Sequence, residues 1–122
     1  MNIVKQIPAY LLAIVFFVFG LNFFFPFMPK QPTPTGDAGT FIGVIYSTGL
    51  LKIVKILEIV FAILITIKPT RALGLLLIAP IVINIFLYEV VIAHQPGIGV
   101  ALVAINALAI YLAKEKYLPI IR

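Results

Sequence analysis

The chain has 122 residues, of which 63% are hydrophobic and 11% are charged, and its mean hydropathy is +1.21. An ordinary soluble domain is excluded, because a small fold leaves too much of its chain exposed to hide so much apolar surface. The net charge of +5 would suit a nucleic-acid-binding protein, but membrane topology explains it better, so nucleic acid is not an expected partner.

The first apolar run covers residues 7–27 and predicts a transmembrane helix. A charged residue precedes it, as in a signal peptide, but the run is too long and its Phe-rich end offers no small-residue cleavage site. Pro8 suits the first turn of a helix, and Pro26 suits its end. We therefore expect a first helix that is retained.

Residues 28–40 are rich in Pro, Gly and Thr and predict a loop. The apolar stretch that follows, 41–67, would be about 40 Å long as one helix, more than one span needs. Ser47, Thr48 and Gly49 form a plausible break within it. We expect a short amphipathic or re-entrant segment at 38–49 and a second span at 50–67, with a single tilted helix as the alternative.

A tight turn at 68–71 leads to the third span, 72–92, in which Pro80 predicts a kink that neighbouring helices can accommodate. A second turn at 94–99 leads to the fourth span at about 98–114. The predicted fold is a single all-α membrane domain over residues 1–122: a four-transmembrane-helix bundle with a short re-entrant or interfacial segment between its first two helices.

Basic residues in short loops predict the orientation of this bundle. With four spans, both termini and the 68–71 turn lie on the same side of the membrane. That side carries most of the basic residues outside the spans: Lys5, Lys68, Arg71, Lys114, Lys116 and Arg122. The opposite side has only Lys30 in its first loop and none in its second. Both termini are therefore expected to face the cytoplasm.

Charged residues within the spans are unexpected, because each costs roughly 2.5–3.5 kcal/mol on insertion scales. Lys52, Lys55 and Glu58 recur every third residue on one face of the second predicted span. Lys55 and Glu58 are close enough to form an ion pair, and an ion pair inside the membrane indicates a function. Lys52 could instead extend its ammonium group to the interface.

Other polar residues fall at similar depths in the remaining spans and suggest a pocket in the outer half of the bundle. The pocket would be capped by residues 28–49 and bind a small or amphiphilic molecule. For the asparagines, hydrogen bonds between helices are the simpler interpretation, and Glu89 could be interfacial. The predicted ligand-binding residues are Lys55, Glu58, Asn84, Lys52, Asn22, Glu89, Tyr88 and Asn106.

Catalytic and metal chemistry have little basis in the sequence. Cysteine is absent, which removes disulfides and thiolate ligands. The one histidine, His94, cannot supply both axial ligands of a buried haem. No nucleophile with a base and no phosphate-binding loop is found. We therefore predict no catalytic residue, no metal and no cofactor.

Four segments in order carry a family resemblance: LLAIVFFVFGLNFFFPF, TGLLKIVKILEIVFAILI, ALGLLLIAPIVINIFLYEV and ALAIYLAKEKYLPIIR. The most specific pieces are the Phe-Gly-Leu-Asn at 19–22, Lys55 with Glu58, and Pro80 with Asn84. In these features the chain resembles the DoxX family of small bacterial membrane proteins. The resemblance implies a four-helix protein of the bacterial inner (plasma) membrane associated with membrane redox systems, such as thiosulfate:quinone oxidoreductase.

Two functions are expected from these observations. The first is an accessory subunit of a larger membrane complex, for which a quinone-linked redox complex is one candidate. The second is a stand-alone protein that binds or transports a small molecule or lipid in the polar pocket. The expected partners are accordingly the lipid bilayer, another membrane protein subunit, and a quinone or lipid.

Overall fold

The computed structural model describes residues 3–29 and 34–121. All regular structure in these two ranges is helical, and it comprises six α-helices, three short 3-10 turns and one π-helical turn. The helices are α1 (Ile7–Phe24), α2 (Gly36–Ser47), α3 (Leu50–Thr66), α4 (Arg71–Leu87), α5 (Ile98–Leu112) and α6 (Leu118–Ile121). A π-helical turn, Tyr88–Ile92, continues α4 without a break.

The structure confirms the expected break between α2 and α3. Gly49 adopts a left-handed backbone conformation with φ of +84°, which glycine reaches without steric cost. The single tilted helix over 41–67 is therefore wrong, and α3 matches the predicted second span to within one residue. The predicted loop at 28–40 is shorter than expected, since α2 already begins at Gly36; its residues 30–33 lie outside the described ranges.

The four long helices pack in a ring in which each contacts two others: α1 and α4 each lie against both α3 and α5. Adjacent helices run antiparallel. Gln6 at the start of α1, for example, meets Arg71 beside the end of α3, whereas Gly20 near the end of α1 faces Ile59. The short helix α2 lies outside this ring, against α3 and the π turn.

The centre of the ring is filled by fully buried side chains, the largest of which are Phe16, Leu12, Ile65, Leu75, Ile78 and Val82. Glycine permits the close approach of α3 and α4, because a Cβ atom on Gly74 would lie 2.9 Å from the backbone nitrogen of Ile65. The contact between Gly74 and Ile65 lies close to the 67–70 turn, and we call that end of the bundle the turn end. The opposite end, where α2 lies, is the cavity end.

Among the residues that the structure describes, two helical stretches, Ile3–Phe24 and Lys68–Ile92, are long and apolar enough to cross a membrane. A third candidate is Ile98–Leu112 taken together with Lys114–Ile120, although these two pieces meet at an angle of 65°. Large apolar side chains also cover the outside of the bundle; Ile14 is 59% exposed and Leu73 is 52% exposed. An apolar outer surface of this kind is suited to contact with lipid.

Candidate functional site

Lys55 and Glu58 form an ion pair on α3, with 3.4 Å between Nζ of Lys55 and Oε1 of Glu58. No other ion pair occurs in residues 3–29 and 34–121. Glu58 is only 2% exposed, while Lys55 is partly buried. A carboxylate in this environment depends on its lysine partner, because a buried charge without a counter-charge is strongly destabilising.

This ion pair lines a partly open cavity of about 600 Å³ at the cavity end of the bundle. Three elements enclose the cavity: α2, the first half of α3, and the end of α4 with its π turn. Its polar side chains are Lys55, Glu58, Asn84 and Tyr88. All other lining residues are apolar, and they are Phe41, Ile42, Ile45, Leu50, Leu51, Val54, Ile81, Ile85, Leu87, Val91 and Ile92.

The π turn and α2 close two sides of the cavity. Within the turn, the backbone N–H of Ala93 donates to the carbonyl of Tyr88 at 2.9 Å, five residues earlier. Single π turns inside helices often occur at functional sites. The ring of Tyr88 lies against that of Phe41 on α2, with 5.4 Å between ring centroids. This aromatic contact joins α2 to the π turn across the cavity.

Asn84 contributes an amide to the cavity without bonding to another helix. Its Nδ2 donates to the carbonyl of Pro80, one turn earlier on α4, at 2.8 Å. Within the described part of the chain its amide oxygen accepts no hydrogen bond. The inter-helix bond considered for this residue is therefore not formed, and the oxygen can accept a bond from a ligand.

Two of the predicted site residues at the cavity end do not line the cavity. The amide oxygen of Asn22 accepts hydrogen bonds from the backbone N–H groups of Phe27 and Met28, at 3.0 and 2.9 Å. Asn22 therefore orders the chain just after α1. Lys52 is exposed and is not among the lining residues, so it lies outside the cavity.

Glu89 and Asn106 also make contacts elsewhere. Oε1 of Glu89 accepts from the N–H groups of Gly97 and Gly99, at 3.1 and 2.8 Å, and so lies at the positive N-terminus of α5. Asn106 is buried and donates to the carbonyl of Leu75 on α4 at 3.2 Å. Asn106 therefore forms the hydrogen bond between helices that was the simpler interpretation for the asparagines. Its contact with Leu75 lies toward the turn end.

Arg71 is the residue whose role the sequence did not reveal. It is 7% exposed, and its Nε and Nη2 donate to the carbonyls of Ile65 and Thr66 at 2.7 and 3.1 Å. Its Nη1 donates to the side chain of Gln6, and its guanidinium lies 4.5 Å from the ring centre of Tyr10. A cation in the first turn of a helix interacts unfavourably with the helix dipole. This unfavourable position is the feature of the sequence that could have indicated a structural role for Arg71.

The described residues contain no group of three or more His, Asp or Glu side chains that could hold a metal ion. No protein-family model matches the chain, and no curated protein and no solved structure is significantly similar to it. The resemblance to the DoxX family therefore stays a prediction. The chemistry of the cavity has to be argued from its own residues.

Proposed function

We propose that this protein is a four-span membrane protein that binds a small amphiphilic molecule in the cavity lined by Lys55 and Glu58. The observation that carries the proposal is the combination of about 600 Å³ of space, eleven apolar lining residues and a single ion pair. Ligand cavities in proteins have this size and this mixture of apolar walls with a few polar groups. An amphiphile matches both parts of the lining.

In this proposal α1, α3, α4 and α5 all cross the membrane, and α2 is the interfacial or re-entrant segment. The antiparallel ring supports this arrangement. It brings the starts of α1 and α4 and the ends of α3 and α5 to the same end of the bundle. Lys5, Lys68, Lys114 and Lys116 are exposed at or near that turn end, which by the positive-inside rule would face the cytoplasm; Arg122 and Lys30 lie outside the described residues. The cavity would then lie in the outer half.

Filling the cavity tests the proposed binding. The probes are tritiated lauryl alcohol, laurate and laurylamine, and binding is measured to the protein in lipid nanodiscs, with empty nanodiscs subtracted. We expect at least one probe to bind saturably, at about one molecule per protein. Val54 lines the cavity, so Val54→Phe should weaken that binding roughly tenfold, as expected for overpacking a site by about 1.4 kcal/mol.

Val60→Phe is the matched control, because Val60 lies on the same helix, is 43% exposed and does not line the cavity. It should bind the probes like the unchanged protein. If none of the three probes binds saturably, or if both variants weaken binding equally, the proposed function is wrong.

A second proposal is the accessory-subunit role, which a feature of α5 favours. Gly99 and Ala109 are buried in the bundle, whereas Ala101, Ala104 and Ala107 remain exposed. Small side chains let helices approach closely within a membrane, so this exposed face suits another membrane subunit, with a quinone-linked complex as the candidate from the DoxX resemblance. Extraction in a mild detergent should recover the protein with its partner, and a protein that always runs alone would reject this role.

A further inference from the structure

The cavity has one cationic and one anionic side chain, and these two are already paired with each other. No other charged residue lines it. Lys55 is partly exposed, whereas Glu58 is almost completely buried. The net charge presented to a ligand is therefore zero, and the charge balance limits which polar groups can enter.

A charged head group would disrupt this balance. An anion beside Lys55 would compete with Glu58 and leave the buried carboxylate without its counter-charge. A cation beside Glu58 would in the same way leave the Lys55 ammonium unpaired among apolar residues. Removing one partner of a buried ion pair is strongly unfavourable, and the low dielectric of the surroundings increases the penalty.

An uncharged polar group avoids this penalty and finds hydrogen-bond partners. The amide oxygen of Asn84 can accept a bond, and the Tyr88 hydroxyl has no hydrogen-bond partner in residues 3–29 and 34–121. The ammonium group of Lys55 has three N–H donors. One of them donates to Glu58. A hydroxyl can both donate and accept here, and a carbonyl oxygen can accept.

We infer that the cavity selects an electrically neutral amphiphile, with a hydrocarbon body and a hydroxyl or carbonyl group at its polar end. This inference rests on the proposed function and adds the class of ligand to it. Lys55 and Glu58 act as a self-neutralised pair that binds neutral polar groups and rejects ionic ones.

The three lauryl probes test the inference, because they share one saturated chain and differ only in the head group. In mildly alkaline buffer laurate is an anion, laurylamine a cation and lauryl alcohol neutral. After correction for partition into empty nanodiscs, we expect lauryl alcohol to bind about thirtyfold tighter than either charged probe, or more. Equal or tighter binding of laurate or laurylamine would overturn the inference while leaving the proposed function intact.

Changes to the ion pair should shift the rank order in opposite directions. Glu58→Gln leaves Lys55 as the only charge, so laurate should become the preferred probe. Lys55→Gln leaves Glu58 alone, so laurylamine should become preferred. The double variant, Lys55→Gln with Glu58→Gln, is again neutral and should return the preference to lauryl alcohol. The comparison is made within each variant, so a partial loss of stability does not change the conclusion.

Matched controls lie outside the cavity. Lys52→Gln removes an exposed lysine one turn before Lys55, and Glu115→Gln removes an exposed carboxylate near the C-terminus. Both should keep the rank order of the unchanged protein. If the order stays the same in all variants of Lys55 and Glu58, the ion pair does not select the head group and the inference is wrong.

Discussion

The two ends of the bundle use their polar residues in different ways. At the turn end, Arg71 joins the start of α1 to the end of α3, and the hydroxyl of Tyr117 donates to the carbonyl of Ala72 at 2.6 Å. Both side chains therefore form hydrogen bonds within the protein. At the cavity end, Lys55 and Glu58 face about 600 Å³ of space that the side chains do not fill.

This difference indicates that the turn end mainly contributes stability and that the cavity end mainly contributes binding. The hydrogen bonds of Arg71 and Tyr117 connect separate segments at the turn end, whereas the other end of the same bundle keeps a cavity. Substitutions at the turn end should therefore reduce stability with little direct effect on binding. Substitutions of the apolar residues that line the cavity should mainly change binding and should reduce stability less. The following predictions are ordered by the size of the expected effect.

The largest effect is expected for Arg71→Met. The substitution removes three hydrogen bonds and the contact with Tyr10, and it leaves two carbonyls at the end of α3 without their donors. Hydrogen bonds to charged groups contribute about 1.5–3 kcal/mol each, so we expect the free energy of unfolding to fall by about 3 kcal/mol or more. Equilibrium unfolding in mixed micelles measures the change.

Lys68→Met is the control for Arg71, because it removes an exposed basic residue from the same turn. We expect little change in the free energy of unfolding for this variant. Equal losses in the two variants would mean that the positive charge of the turn, rather than the bonds of Arg71, stabilises this end.

A smaller effect should come from a matched pair of leucine truncations that compares the two ends directly. Leu75 is 1% exposed in the core, so Leu75→Ala should leave a void and lower the free energy of unfolding by about 2–3 kcal/mol. Leu51 already borders the cavity and has fewer contacts to lose. Leu51→Ala should therefore cost about 1 kcal/mol, measured in the same unfolding experiment; similar losses would argue against a hollow cavity end.

The sequence predicted the helices better than their contacts. Runs of apolar residues and the break near Gly49 were enough to place α3 and the separate α2, because length and turn residues are local signals. The π turn after Leu87 was not predicted, since an extra residue in a helical turn leaves the hydropathy pattern almost unchanged. Which helices contact one another also cannot be read from the period of a single helix.

The candidate site was predicted in part. The i, i+3 spacing placed Lys55 and Glu58 together, and depth within the spans indicated Asn84 and Tyr88. All four line the cavity. Glu89 was assigned to the same pocket, but its carboxylate binds the N-terminus of α5. Periodicity shows the face of a helix on which a residue lies, but it cannot show which backbone groups need a partner there.

The smallest effect in this comparison is expected for Tyr117→Phe at the turn end. The substitution keeps the ring and removes the hydroxyl that donates to Ala72. One neutral hydrogen bond contributes about 1 kcal/mol, so the free energy of unfolding should fall by about that amount near neutral pH. Tyr111→Phe is the control, because Tyr111 is 62% exposed and should tolerate the change.

The pH dependence tests whether the Tyr117 hydroxyl stabilises the fold as a buried, uncharged group. Burial raises the pKa of Tyr117 above its ordinary value, which in the unfolded chain is about 10. The folded protein therefore holds this proton more tightly, so the stabilisation is complete below pH 10 or so and is lost as the pH rises toward the folded pKa. The difference in free energy of unfolding between unchanged protein and Tyr117→Phe should shrink over that range. A difference that stays constant through the titration would mean that folding does not bury the Tyr117 hydroxyl.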